Sequence, residues 1–232
     1  MLRRSVFSLW LPIFIEFLAA VHASNAAASS QCRDLPPSTV RVFSMLPKNI
    51  EETLVSTKEM ERMATASHLS ELRIGPHQLL IDAQLGATVS VKHRPVKVRT
   101  DDQIVYCDAP ELVDIGIGAA VLTASMDRRA ASDLCIHRVF MQYAADRRDM
   151  LDHAIDEFIA KNQREIANRL QELKKTPATD PKSATTVFEA GLRSLVLPMG
   201  QVFAQRAMGS GEGSDANQRF LRLGMTCKRG GS

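Results

Sequence analysis

Apolar residues recur at three- and four-residue steps along one uninterrupted stretch: Ile136, Phe140, Tyr143, Met150, Leu151, Ala154, Ile155, Phe158, Ile159, Ile166, Leu170 and Leu173. A period near 3.6 with no proline or glycine marks an amphipathic helix, and it predicts a spine from Ser132 to Lys175. Ser132 or Asp133 can cap the first amides, while Lys174 and Lys175 suit the carbonyl end before Thr176-Pro177 stops the run. On the polar face Glu157 stands four residues before Lys161, and Glu165 four before Arg169, the favourable order for weak pairing. Such a rod would reach roughly 60 Å at about 1.5 Å per residue, longer than a small domain needs, so burial is expected mainly in its first half.

Upstream of the spine the period changes to two. Val40 to Ser44 reads as a short edge strand entered from Leu35-Pro36-Pro37. Val89 and Val91, then Val96 and Val98, alternate with polar neighbours, Thr100-Asp101-Asp102 makes a turn, and Ile104 to Cys107, Leu112 to Gly118 and Val121 to Ala124 continue as strands. Ile50 to His68 carries an irregular helix-like pattern. Gly116 and Gly118 belong to no G-x-G-x-x-G or G-K-[ST] motif, so a bulge or close backbone packing is expected there rather than a phosphate loop.

Downstream, Thr176 to Thr186 has linker composition, and Val187 to Ala207 resumes a helical stripe that Pro198 should kink or split. Gly209 to Ser214 reads as a hinge, Asp215 to Cys227 returns apolar residues to a stapling cysteine, and Lys228 to Ser232 should fray. Together these elements predict a single α+β domain over residues 35–227: a small antiparallel sheet packed on a long central helix, with a carboxyl-terminal helix closing over it.

At the amino end Arg3 and Arg4 precede an apolar run from Val6 to Ala20 and small residues at Ala23, Ser24 and Ala26. This is the pattern of a secretory signal peptide, residues 1–23, followed by a flexible leader, 24–34. Glu16 interrupts the run, and an uncleaved anchor on an envelope assembly is the alternative reading. Periplasmic or secreted localisation follows in the first case, with no integral membrane domain after cleavage. A formal charge of +3, with bases scattered among acids and 5% aromatic residues, gives no electrostatic case for nucleic acid. All four cysteines, Cys32, Cys107, Cys135 and Cys227, lie beyond the cleavage point, as an oxidised set would. Three pairings exist; Cys107 with Cys135 plus Cys32 with Cys227 is favoured. A four-thiolate zinc site is the minor alternative, since no C-x-x-C pair is present.

Catalytic chemistry is sparse. His68, His77, His93, His137 and His153 show none of the spacings H-E-x-x-H, H-x-H or H-x-x-x-H. Asp149, His153 and Glu157 share one helical face and are the strongest candidates for a metal, with His137 or His93 to complete the set, although a solvated face with a weak His-carboxylate pair is the favoured account of them. No G-x-S-x-G serine is present.

The order Tyr106-Cys107-Asp108-Ala109-Pro110, then Cys135 opening a long helix, then Asp215 to Phe220 and Cys227, resembles small exported proteins of Gram-negative bacteria with a zincin-like helix. In that group H-E-x-x-H follows the helix cysteine by eight residues. Here Tyr143, Ala144 and Arg147 stand at the histidine, glutamate and histidine positions. Such a peptidase needs two imidazoles for zinc and a carboxylate base, which tyrosine, alanine and arginine do not supply. The resemblance therefore implies an exported pseudoenzyme, with no catalytic residue and no cofactor, that binds a protein or cell-envelope partner. The competing expectation is a metal-dependent hydrolase with its site moved to His153. Arg147 interrupts the apolar stripe and is expected to snorkel to solvent, unless it pairs with an acid or borders a cleft.

Overall fold

The computed structural model describes residues 32, 35–66, 69–99, 103–209 and 215–229. The expected signal peptide, most of the leader, His68, the Thr100–Asp102 turn, residues 210–214 of the hinge and 230–232 of the tail lie outside the described residues. The elements are β1 (Thr39–Met45), β2 (Glu51–Val55), α1 (Thr57–Met63), β3 (Ser70–Ile74), β4 (His77–Lys92), β5 (Pro95–Arg99), β6 (Ile104–Asp108), β7 (Leu112–Asp127), α2 (Arg128–Ser132), α3 (Leu134–Leu173), β8 (Pro177–Ala178), α4 (Pro181–Gly209) and α5 (Asp215–Arg229). The fold is α+β, with an antiparallel-rich sheet, a long helix and a carboxyl-terminal helix. The described residues form two compact units, one gathering those within 40–90, 114–166 and 194–229, the other those within 32–39, 91–113 and 167–193.

In the larger unit the sheet runs β1-β7-β4-β3, with β2 also on β7. β3 and β4 are antiparallel, Ser70 opposite Ile81 and Ile74 opposite His77, across a turn in which Gly75 takes φ 60°. One pairing departs from the antiparallel expectation: β2 runs parallel to β7, Glu51 opposite Thr123 and Val55 opposite Asp127. Ile50 to His68 is thus not a single irregular helix. Its β-branched Thr53 and Val55 join the sheet, and Ser56 then caps α1 by accepting the Glu59 amide at 3.2 Å.

Period two puts Leu72 and Ile74 of β3, Leu79 and Ile81 of β4, and Leu122, Ala124 and Met126 of β7 on one face of the sheet. There they pack against Ile136, Val139, Phe140, Tyr143 and Ala144 of α3 and Phe220 of α5. Leu80 points the other way, into a satellite core with Val55 and Met60. Burying each such large side chain contributes about 1.5–3 kcal/mol. The two short apolar runs expected between Leu112 and Ala124 are one strand of 16 residues, because Ala119 and Ala120 carry no turn chemistry. Gly116 and Gly118 meet the expectation of close backbone approach. A Cβ at Gly118 would lie 2.2 Å from the Met45 carbonyl oxygen, and one at Gly116 2.8 Å from Thr88 Oγ1.

Asp133 is the cap of α3, its carboxylate accepting the amides of Cys135 at 3.0 Å and Ile136 at 3.1 Å. Ser132 instead closes α2, its hydroxyl donating to the Arg128 carbonyl. The helix runs 40 residues, and burial is not confined to its first half: Phe158, Ile166 and Leu170 are buried, and Phe158 meets Phe203 of α4 edge to face at 5.5 Å. The sequence expectation assumed that polar residues after Phe158 meant a projecting rod, whereas Ile166 and Leu170 between them are covered. Met150, expected in that stripe, is 44% exposed.

The helix α4 starts before the predicted boundary and absorbs Pro181 to Thr186 of the expected linker. Asp180 caps it by accepting the Ser183 amide at 2.9 Å, and proline at the first position costs nothing there. Pro198 lies inside α4 without splitting it. The last helix, α5, reaches Arg229, past the expected start of fraying. Among the described residues no helix is long and apolar enough to cross a membrane.

In the smaller unit β5, β6 and β8 form a second sheet, antiparallel throughout, Val96 facing Cys107 and Tyr106 facing Ala178. Its core is Cys32, Val105 and Cys107 with Leu35 and Val98 against them. Lys174, expected to sit at the helix end for its charge, is buried and donates to the Pro36 carbonyl at 3.0 Å. Burial, and then the neighbouring Arg94 charge, push its ammonium below the usual lysine range.

The cysteines are disulfide-bonded, but not in the favoured pairing. Cys32 joins Cys107 and Cys135 joins Cys227, with Cα separations of 6.1 and 5.6 Å. Each bridge closes within one compact unit, whereas Cys107 and Cys135 belong to different units.

Candidate functional site

Tyr143, Ala144 and Arg147 occupy the inward face of α3 in the larger unit, where a helix stacks residues four apart. All three are buried. The Tyr143 hydroxyl lies 2.5 Å from Ser70 Oγ, 2.9 Å from Asn217 Oδ1 and 3.3 Å from the Glu71 carbonyl oxygen, and its ring meets Phe220 edge to face at 5.2 Å. Arg147 Nη2 donates to the same Asn217 oxygen, Nη1 lies 3.6 Å from Met150 Sδ, and the guanidinium stands over the Tyr143 ring at 4.9 Å. At 5% exposure Arg147 does not snorkel to solvent; it borders a cleft. Ala144 joins the core cluster.

That cleft is a half-open cavity of about 270 Å³. Arg147, Met150, Leu151, Ala154 and the outer residues His153 and Glu157 form the α3 wall, with Leu69 and Ala207 opposite. The lining is mainly apolar, with one buried cation and two exposed titratable groups, an arrangement that holds a small apolar group and offers polar contacts around it.

Of the proposed metal ligands, His153 and Glu157 line this cavity but Asp149 does not. It is exposed and turned to Arg148, 3.0 Å away. His137 lies 3.1 Å from Glu52, and His93 contacts Asp108 and Glu189, so the expected completing histidines are engaged with carboxylates of their own. Among the described residues no three His, Cys, Asp or Glu side chains converge as a metal site would require. The three positions at which the resemblance would place a zinc site do not fit zinc. The Tyr143 oxygen sits among hydrogen-bonding partners, Ala144 has no donor atom, and Arg147 is a permanent cation.

Set against known families, characterised proteins and solved structures, this chain matches none.

Two polar clusters were not foreseen. Asp127, at the end of β7, accepts the amides of Arg129 at 3.1 Å, Ala130 at 3.0 Å and Gln78 at 3.3 Å, with His77 Nδ1 3.4 Å away. Burial alone would raise its pKa, yet these hydrogen bonds hold the carboxyl below its usual range. In the smaller unit His93 sits between Asp108 and Glu189. The strand pattern held a signal for the first contact, since pairing Val96 with Cys107 brings Asp108 beside the residues preceding β5. Glu189 and Asn217 arrive from distant helices and had no such signal.

Proposed function

We propose that this chain is an exported, non-catalytic binding protein on a degenerate peptidase-like scaffold, and that the cavity on α3 receives a small apolar group of a protein or cell-envelope partner. The observation that carries the reading is that the three positions where a zincin-like helix would hold its chemistry are a tyrosine, an alanine and an arginine built into the core. Two disulfides support an oxidising destination.

The mature protein should purify without stoichiometric metal; stoichiometric zinc that disappears in His153→Ala would overturn the non-catalytic reading. Titration with an anilinonaphthalene fluorophore reports on the cavity. Saturable fluorescence gain is expected in the wild type and its loss in Ala154→Phe, which fills the cavity from the α3 wall, at an unchanged melting midpoint. Equal binding by both would remove the cavity from the reading.

A further inference from the structure

Neutral imidazole has one N–H, and imidazolium has two. His93 lies on the connector between β4 and β5, with Nδ1 against Asp108 at the end of β6 and Nε2 3.0 Å from Glu189 Oε1 on α4. Only the imidazolium can donate to both carboxylates at once. The partners differ in kind. The Asp108 side chain is 1% exposed and also accepts the Arg94 amide at 3.1 Å, whereas that of Glu189 is 45% exposed.

We propose that His93 is a pH-dependent clasp that ties the first half of α4 to the β5–β6 pair when protonated and lets Glu189 go when neutral. On deprotonation the single N–H stays with Asp108, because a buried carboxylate stripped of its donor is costly, while Glu189 can turn to water. Nε2 then presents a lone pair to the Glu189 oxygen and the contact becomes repulsive. Other groups around the clasp do not replace the imidazolium. Arg193 on α4 lies 3.6 Å from Glu189 on a largely exposed side chain, Arg94 donates to the carbonyls of Ala109 and Pro37, Lys174 at the end of α3 is committed to Pro36, and Lys92 pairs with Glu111. The remaining neighbour, Phe188, sets its ring edge-on at 6.3 Å and carries no charge.

Burial works against the charge, but the hydrogen bonds to Asp108 and Glu189 outweigh it and hold the His93 imidazolium above the ordinary histidine range. A group whose pKa rises on folding contributes its full stability below the unfolded value, about 6.5, and loses it as pH climbs through the folded value. The clasp is therefore closed below the unfolded histidine value, while both carboxylates are ionised, and opens as pH rises through the higher folded value.

Proton NMR of the full mature chain should show His93 titrating above the value of an unfolded histidine, with Glu189→Gln lowering its midpoint. Amide exchange of residues 184–193, corrected for its intrinsic pH dependence, should rise several-fold across that same titration in the wild type and lose the step in Glu189→Gln. A His93 midpoint at or below that of an unfolded histidine, or protection of α4 that does not change across the titration, would overturn the proposal. The wild-type titration needs no variant to fold.

Discussion

Gly118→Ala tests the joint between β1 and β7. Gly118 has φ 151°, which L side chains rarely adopt, and an added methyl would lie 2.2 Å from the Met45 carbonyl oxygen and 3.1 Å from Ile155 Cδ1 on α3. Carbon contacts settle near ~3.5 Å, so the strands would have to part by roughly 1 Å while α3 blocks the opposite escape. A strained dihedral costs about 1–3 kcal/mol and an overpacked site about 1–3 more, which places the expected loss at roughly 2–6 kcal/mol. In a protein of this size that lowers the melting midpoint by roughly 4–24 °C at about 2–4 °C per kcal/mol. Gly86→Ala, in β4, is the matched control: nothing lies within 4 Å of its added methyl, and removing a strand glycine should leave stability within about 1 kcal/mol of the wild type or raise it. Urea unfolding followed by far-ultraviolet circular dichroism measures both. If Gly118→Ala unfolds within about 1 kcal/mol of the wild type, the approach of Met45 to β7 described above is wrong.

Three further outcomes are expected. Phe158→Asp, which places a charge at a 7% exposed site against Phe203, should destabilise by several kcal/mol, and an unmoved thermal transition would mean that this part of α3 is wet. Asp127→Ala orphans the amides of Ala130 and Gln78 and should cost about 1–3 kcal/mol at neutral pH. Because the folded Asp127 pKa is depressed, that stability is present above the unfolded value near 3.9 and is lost as pH falls through the folded value, so the wild-type and variant unfolding curves should converge in acid. Peptide mapping under non-reducing conditions should recover Cys32 with Cys107 and Cys135 with Cys227, and free alkylation of all four thiols in the unreduced protein would contradict the bridges.

The sequence was most legible where one local period settled the matter. The apolar steps from Ile136 to Leu173 gave α3 to within two residues at each end, and alternation at Val89, Val91, Val96 and Val98 gave strands. It misled where neighbours decide. Glu51 to Val55 is a strand because β7 offers it a parallel partner, and Phe158, Ile166 and Leu170 are buried because other segments cover them; neither fact is written in local pattern. Arg147 shows the same limit, since an arginine in an apolar stripe belongs to solvent until a partner such as Asn217 arrives 70 residues later.

The two bridges also bear on how the molecule is made. Synthesis delivers Cys32 and Cys107 before Cys135 and Cys227, so the first cysteine joins the second and the third joins the fourth, and the links neither nest nor interleave. An unselective oxidant acting on the emerging chain would form the native set directly, and correct oxidation should proceed without a thiol isomerase to reshuffle it.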